Sequence, residues 1–343
     1  MQALVLAGGE GTRLRPLTLT TPKPVIPLAG RPFLSFMLTW LARHGVDEAL
    51  LSLGYRAADV ERVLGHDHHG MRLRYLVEDE PLGTAGPLRL AFDEGAIEGR
   101  VLVLNGDCLT DLDLTAMLHQ HEQTNAAGTI ALAAVEDTSA YGVVPTRASG
   151  EVEEFLEKQP GPPPTNRINA GSYVLEQSVV EMIPPGGAVS IEREIFPQLV
   201  GGNGLYGFPF DDYWIDIGTP VLYLEATYDL LAGRVENDLP PRDETDSLVY
   251  EPSITSGARI GPLSVVGRHC SVGDGTTLER AVLHDDVRLG LDCSVREAVI
   301  GAGARIEEGA RIEPLALIGA GATVAAGSVV ESGARVEPSA PVP

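Results

Sequence analysis

Apolar positions along this chain follow two different rhythms. Over roughly the first 230 residues, short apolar runs alternate with amphipathic stretches. Residues 3–7 form a Leu- and Val-rich run that predicts a buried strand. Residues 32–44 set Phe33, Phe36, Met37, Trp40 and Leu41 on one side, predicting a helix that Gly45 ends. Further strands are predicted at 48–53, 73–77, 101–105, 128–135 and 151–155, and helices at 57–64, 84–92 and 114–123. On the last of these helices His119 and His121 are expected to face solvent. The β-α-β-α-β order implies an α/β fold with a mostly parallel sheet and helices on both faces. Ligands of such sheets bind beyond the carboxyl ends of the strands.

The second rhythm has a period of six. Ile254, Ile260, Val266, Val272 and Leu278 are six apart, and a five-residue step then leads to Leu283, Leu289 and Val295. Another five-residue step leads to Ile300, Ile306, Ile312, Ile318, Val324, Val330 and Val336. Gly261, Gly267, Gly273, Gly290, Gly301 and Gly319 follow aliphatic members of the series. Neither a helix nor a plain antiparallel strand has this period. A left-handed parallel β-helix does, with one hexapeptide per triangular face and the aliphatic residue inward. The pattern predicts about four to five coils. The polar stretch 233–248, with Pro240 and Pro241, reads as a linker between domains at 1–232 and 249–343. Residues 1–232 are expected to carry the chemistry alone.

Composition narrows the partners. The formal net charge of −23 repels nucleic acid and anionic membranes. No apolar run approaches the length of a transmembrane helix, and no signal peptide is visible. Cys108, Cys270 and Cys293 lie without metal spacing, as suits a reducing, cytoplasmic setting. An anionic substrate must then meet a local basic cluster and a metal ion.

Such a cluster follows the first strand. Gly8, Gly9 and Gly11 let backbone N–H groups converge on one point. Arg13, Arg15 and Lys23 add charge, with Lys23 held between two prolines. The string is neither a Walker A loop nor a dinucleotide fingerprint, since Leu14 stands where the third glycine would be. Asp107 ends the strand 101–105 through Asn105 and Gly106, a place suited to holding Mg²⁺ or, more plainly, to capping a helix. His66, His68 and His69 with Asp67 lack partner ligands, so a polar loop is the simpler reading there.

The string Gly-Gly-Glu-Gly-Thr-Arg-Leu-Arg-Pro-Leu-Thr with Thr-Pro-Lys-Pro resembles the signature of the sugar-1-phosphate nucleotidyltransferases. Five further segments, spread over residues 1–231, resemble the family in order. The resemblance implies a Rossmann-like, mixed but mostly parallel sheet. It implies nucleotide contacts from Leu6, Ala7, Gly8, Gly9, Gly11, Thr12, Glu78, Pro81, Gly83, Thr84, Ala85, Asn105 and Gly106. Arg13, Lys23 and Lys158 would be the catalytic cations. Gly142, Glu157, Asn169, Gly171 and Glu192 would line the sugar pocket, and Asp107 and Asp216 would hold Mg²⁺. The family pattern is Glu-Lys-Pro, whereas here Gln159 precedes Pro160. Relatives that use thymine or uracil carry Gln in place of Glu78. A carboxylate only accepts hydrogen bonds, and guanine offers two adjacent donors, N1–H and N2–H.

The resemblance therefore implies transfer of a nucleotidyl group from a nucleoside triphosphate, GTP for preference, to a sugar 1-phosphate such as mannose 1-phosphate. It is closest to the mannose-1-phosphate guanylyltransferases. Glucose-1-phosphate thymidylyl or uridylyl transfer stays open, as does a non-catalytic regulatory subunit. A bifunctional acyltransferase would need a His base such as His269 or His284. The β-helix, the catalytic domain or both would form a homo-oligomer.

Overall fold

The computed structural model describes residues 1–157, 163–201, 204–255 and 257–339, with Glu157 described by its backbone alone. Two compact units emerge, and neither is one continuous stretch of chain. The first comprises Met1–Gly9 and Met37–Trp214, the second Glu10–Phe36 and Ile215–Pro343. The segment Glu10–Phe36 thus clusters with the C-terminal half.

In the first unit, strand β1 (Gln2–Leu6) lies parallel between β2 (Glu48–Leu53) and β4 (Val101–Asn105). Strand β3 (Met71–Val77) runs parallel to β2 on its far side. Burial on both faces explains the apolar run, since Ala3, Leu4 and Val5 are fully buried. The sheet then changes direction. Strand β6 (Arg167–Leu175) is antiparallel to β4 and to β5 (Gly128–Ala134), and β7 (Leu205–Phe210) is parallel to β5. The predicted helices occupy Phe33–Arg43, Ala57–Leu64, Gly86–Asp93 and Leu114–Thr124. Because the strand order is parallel around β1, Ala7–Gly9, Glu78 and Asn105–Asp107 all follow carboxyl ends of parallel strands.

Two local expectations fail. Residues 151–155 form no strand; Glu151 and Val152 make isolated bridges, to Tyr206 and Thr146, and the strand is Leu156–Glu157. Glutamate is a poor strand former, and Glu151 and Glu153 are instead ion-paired to Arg147 at 3.2 and 3.8 Å. His121 faces inward, with 1% of its surface exposed. It shares the buried face of its helix with Leu114 and Met117, and its ring nitrogens meet Thr129 Oγ1 at 2.7 Å and Glu176 Oε1 at 3.1 Å. His119 does face solvent. The histidine-rich loop is a tight hairpin, with Asp67–His68 paired to Met71–Arg72 and His68 Nε2 2.9 Å from Thr39 Oγ1.

The second unit contains a three-sided stack of short parallel strands. One side runs through Leu248, Val265, Val282, Val299, Leu317 and Arg335. Coils that contain a five-residue step span seventeen residues, from Val265 to Val282 and on to Val299. Coils built of hexapeptides alone span eighteen, from Val299 to Leu317 and on to Arg335. The aliphatic series points inward: Val266, Val272, Leu278, Leu283, Leu289, Val295, Ile300 and Ile306 share one core. Each coil buries its face only against the next, as in any solenoid.

Candidate active site

The first unit gathers many of the implied residues through their hydrogen bonds. Gly106 sits against β1, its N–H 2.8 Å from the Leu6 carbonyl; a Cβ there would lie 2.9 Å from that oxygen. Ala7 donates to the Ser52 carbonyl at 2.9 Å. Glu78 is half-buried, and both its oxygens accept internal bonds. Oε1 takes the Ser52 hydroxyl at 2.7 Å and Oε2 the Leu82 N–H at 3.0 Å. Glu78 therefore braces the turn 78–82. Each carboxylate oxygen keeps a second lone pair for a further donor. Gly8 borders this group, since a Cβ would lie 3.2 Å from Glu78 Oε1. Pro81 and Gly83 stay exposed on the turn. The next residues are zipped to Val189: Ala85 N–H donates to its carbonyl at 2.9 Å, and its N–H donates to Leu82 at 3.0 Å.

From there one polar network leads to the implied sugar residues. Thr84 Oγ1 donates to Glu192 Oε2 at 2.7 Å and accepts the Ile191 N–H at 2.9 Å. Ser190 donates to the same Glu192 oxygen at 2.8 Å. Tyr173 reaches Glu192 Oε1 at 3.5 Å, and Asn169 Nδ2 donates to the Tyr173 hydroxyl at 2.9 Å. Asn169 Oδ1 accepts the Gly171 N–H at 3.0 Å. Gly171, at φ +72°, lies against Asn105, whose Nδ2 would be 2.6 Å from a Cβ. Burial pushes the Tyr173 phenol well above its ordinary value, with the Glu192 carboxylate adding to the effect. Tyr173 is thus a neutral hydroxyl that links Asn169 to Glu192. Gly142 pairs with the Glu157 backbone, and its neighbour Tyr141 meets the Trp214 ring edge-on. Lys158 lies outside the described residues.

The second unit holds the remaining implied residues. Gly11, at φ +63°, opens the short turn Thr12–Leu14, and Thr18 Oγ1 donates to its carbonyl at 2.9 Å. Lys23 packs on Gly11 so closely that a Cβ would lie 3.0 Å from the Lys23 Cβ. Arg13 is exposed and lies beside Gly218, where a Cβ would be 2.6 Å from its Nη2. Arg15 forms an exposed ion pair with Glu10 at 2.9 Å, which separates its role from that of Arg13. Asp216 is half-buried two residues before Gly218. Gly9 and Thr12, on either side of the unit boundary, are exposed.

Among the described residues, no cluster of three or more His, Cys, Asp or Glu side chains is placed to hold a metal. Half-buried Asp107 and Asp216 offer hard oxygen donors. Mg²⁺ binds through one or two carboxylates and takes its other ligands from water and phosphate, so this donor chemistry fits it. Among the described residues no helix is long and apolar enough to cross a membrane.

Sequence reading missed Ser52 and Tyr173. Ser52 is a fully buried hydroxyl inside the apolar run of β2, a departure that itself was a signal. Tyr173 stands between Asn169 and Glu192 in the chain, and its hydroxyl meets Asn169 four residues before it and Glu192 nineteen after it.

Comparison with known proteins identifies the family. Residues 2–233 match the nucleotidyl transferase family model, and residues 248–342 match the GMPPB C-terminal domain. The mannose-1-phosphate guanylyltransferase of Mycobacterium tuberculosis is 39% identical over 300 residues, 86% of this chain and 83% of that protein. Mannose-1-phosphate guanylyltransferase 1 of Arabidopsis thaliana is 34% identical over 333 residues, 93% and 91% of the two chains. The crystal structure of HddC from Yersinia pseudotuberculosis complexed with GMP-PN superposes with a TM-score of 0.57. That chain is 31% identical, and the match covers 66% of this chain and 97% of that one. With family models matching both halves and relatives aligned through both, the chain belongs to the nucleotidyl transferase family and is a nucleotidyltransferase with a GMPPB-type C-terminal domain.

Proposed function

We propose that the protein transfers a guanylyl group from GTP to mannose 1-phosphate, giving GDP-mannose and pyrophosphate. The observation that carries this reading is the alignment with mannose-1-phosphate guanylyltransferases across most of the chain. The geometry of Glu78 supports guanine. Its two remaining lone pairs suit N1–H and N2–H, whereas thymine and uracil offer one donor flanked by carbonyl oxygens. Exposed Glu80 is the other carboxylate of this turn.

In the reaction an oxygen of the sugar phosphate attacks the α-phosphorus of GTP. The new P–O bond forms as the bond from the α-phosphorus to the bridging oxygen of pyrophosphate breaks. The nucleophile is already anionic at neutral pH, so no general base is required. The remaining tasks are alignment and charge neutralisation. Arg13 and Lys23 neutralise the departing pyrophosphate, and Lys158 holds the attacking phosphate. Asn169 and Glu192, fixed by Tyr173 and Thr84, bond the sugar hydroxyls together with Glu157. Asp107 and Asp216 are the carboxylates that would hold Mg²⁺. When bound, the ion supplies positive charge at the nucleotide phosphates. A triphosphate substrate and three buried free thiols support a cytoplasmic setting, and copies of the chain would assemble through the β-helix, the catalytic domain or both.

The test is a matrix of ATP, GTP, UTP and dTTP against mannose, glucose and galactose 1-phosphates, scored by pyrophosphate release. The greatest kcat/KM is expected for GTP with mannose 1-phosphate. Preference for dTTP or UTP overturns the guanine assignment, and no release with any pair overturns catalysis.

A further inference from the structure

One row of corners in the β-helix mixes glycine with two large buried side chains. Val249, Val266, Leu283, Ile300 and Ile318 are adjacent in successive coils, and the corner residue after each is Tyr250, Gly267, His284, Gly301 and Gly319. Glycine suits this corner. A Cβ at Gly267 would lie 2.6 Å from the His284 carbonyl carbon, and one at Gly301 2.7 Å from the Ile318 carbonyl oxygen. Tyr250, His284 and, at the last corner, exposed Glu337 depart from glycine, and the side chains of Tyr250 and His284 have a defined target.

Tyr250 donates its hydroxyl to the Ala29 carbonyl at 2.8 Å. Its ring presses on Gly30, where a Cβ would collide with it. Arg268 stacks on that ring, its guanidinium carbon 4.7 Å from the centroid, and its Nη1 reaches the Gly30 carbonyl at 3.4 Å. His284 Nε2 lies 3.1 Å from the hydroxyl of Tyr223 on the helix Pro220–Leu231. Tyr223 donates to the Pro27 carbonyl. A phenol has a single proton, so with that proton on Pro27 the Nε2–H of His284 is the donor to Tyr223. All three side chains are buried: Tyr223 fully, His284 to 6% exposure and Tyr250 to 8%.

The seized backbone, Pro27 to Gly30, follows Lys23 by a few residues. Ile26 N–H bonds the Lys23 carbonyl at 3.2 Å, and Val25 N–H bonds the Pro22 carbonyl at 3.0 Å. Pro22, Pro24 and Pro27 fix φ along this stretch, so a shift at Pro27 is carried to Lys23. A glycine-rich linker would absorb the same shift.

We propose that Tyr223, Tyr250 and His284 are positioning residues for the triphosphate: through the turn 27–30, the β-helix sets the place of Lys23. The proposal rests on Lys23 acting as a phosphate ligand, as proposed above. It also argues against the expectation that residues 1–232 suffice for chemistry, since Tyr250 and His284 lie beyond them.

The test measures binding of GTP, pyrophosphate and mannose 1-phosphate by calorimetry, alongside turnover and thermal melting, on the full chain. Tyr223→Phe and Tyr250→Phe keep ring and volume; each is expected to weaken GTP and pyrophosphate about tenfold, the effect of one lost buried hydrogen bond, with mannose 1-phosphate unchanged. His284→Gln retains an N–H donor and is expected to restore what His284→Leu loses. Arg296→Gln, in an exposed β-helix ion pair with Glu313, is the control and should change nothing. Folded Tyr and Leu variants with wild-type affinity overturn the proposal, as does equal weakening of all three ligands. If a Tyr variant does not fold, hydrogen exchange of residues 22–31 in His284→Leu decides, with unchanged protection counting against the proposal. Wild-type protein that binds GTP without releasing pyrophosphate overturns the catalytic reading while the affinities still judge the clamp. Wild-type protein that binds neither GTP nor pyrophosphate overturns both.

Discussion

The first unit ties the polar side chains of its implied site to one another, whereas the second lays two of its cations, Arg13 and Lys23, close against glycine. Glu78, Thr84, Asn169, Tyr173 and Glu192 each have a partner among the first unit's own residues. Arg13 and Lys23, in the second, lie against Gly218 and Gly11, where any Cβ would crowd them. The contrast follows from what each set is proposed to recognise. A base and a sugar present fixed patterns of donors and acceptors, which demand preorganised partners. Polyphosphate presents concentrated charge, which long cationic side chains meet once given room.

The largest expected effect strikes both units alike. Asp107→Ala and Asp216→Ala should each lower kcat by about a thousandfold, some 4 kcal/mol of barrier, at saturating Mg²⁺ with melting unchanged. Activity near wild type in either variant removes that residue from the metal set.

The next effect separates the units by pH. His284 and His121 are both buried, and burial holds each below the ordinary imidazole range, His284 down to about 4. Nearby Asp285 pulls His284 upward, and Glu176 does the same for His121. Between about pH 6.5 and 4 the unfolded chain binds a proton that folded His284 refuses, so stability falls as pH falls. The full span is worth about 3 kcal/mol. Urea midpoints at pH 7 and 4.5 should converge more in His284→Gln than in wild type. An unaltered acid dependence would show that folding does not lower the proton affinity of His284.

Glu78→Gln probes the first unit's preorganisation. An amide replaces one acceptor with a donor facing either Ser52 or Leu82, so GTP use should fall by roughly ten- to a hundredfold. The gap to UTP and dTTP should narrow, read as kcat/KM for each nucleotide. An unchanged nucleotide ranking would transfer base reading to Glu80.

Gly11→Ala probes the second unit. At φ +63° and 3.0 Å from Lys23 Cβ, a methyl group strains the turn and displaces the cation. A rise of about tenfold in KM for GTP is expected, with KM for mannose 1-phosphate unmoved. The smallest effect is expected from Tyr173→Phe. It loosens Asn169 and Glu192 and should raise KM for mannose 1-phosphate by about threefold while sparing GTP. Opposite selectivity in these two variants would dissolve the distinction between the units.

What was legible in the sequence was local. The apolar run of β1 with its glycine turn and the six-residue period are both written in consecutive residues. Even the change from seventeen- to eighteen-residue coils was present in the two five-residue steps. The inward turn of His121 was legible too, because Leu114, Met117 and His121 share one helical face, and that spacing outweighs the polarity of the imidazole. Contacts between distant residues were beyond reach. Tyr250 bonds Ala29 across 221 positions, and Tyr223 bonds Pro27 across 196. No period or motif connects such pairs. Only the departure of Tyr250 and His284 from a glycine row marked them, and that row becomes visible once the coils are aligned.

That row also gives the solenoid a direction of growth. Tyr250 and His284 stand at early corners, each fitted to one target, whereas its later corners hold Gly301, Gly319 and exposed Glu337. The eighteen-residue coils from Val299 onward are interchangeable in register. Duplicating one of them would lengthen the stack and leave the clamp in place. Duplicating an early coil would move Tyr250 or His284 out of reach of its partner. The number of coils is therefore free to drift at the C-terminal end alone, and the other end sets the phase from which every later coil is counted.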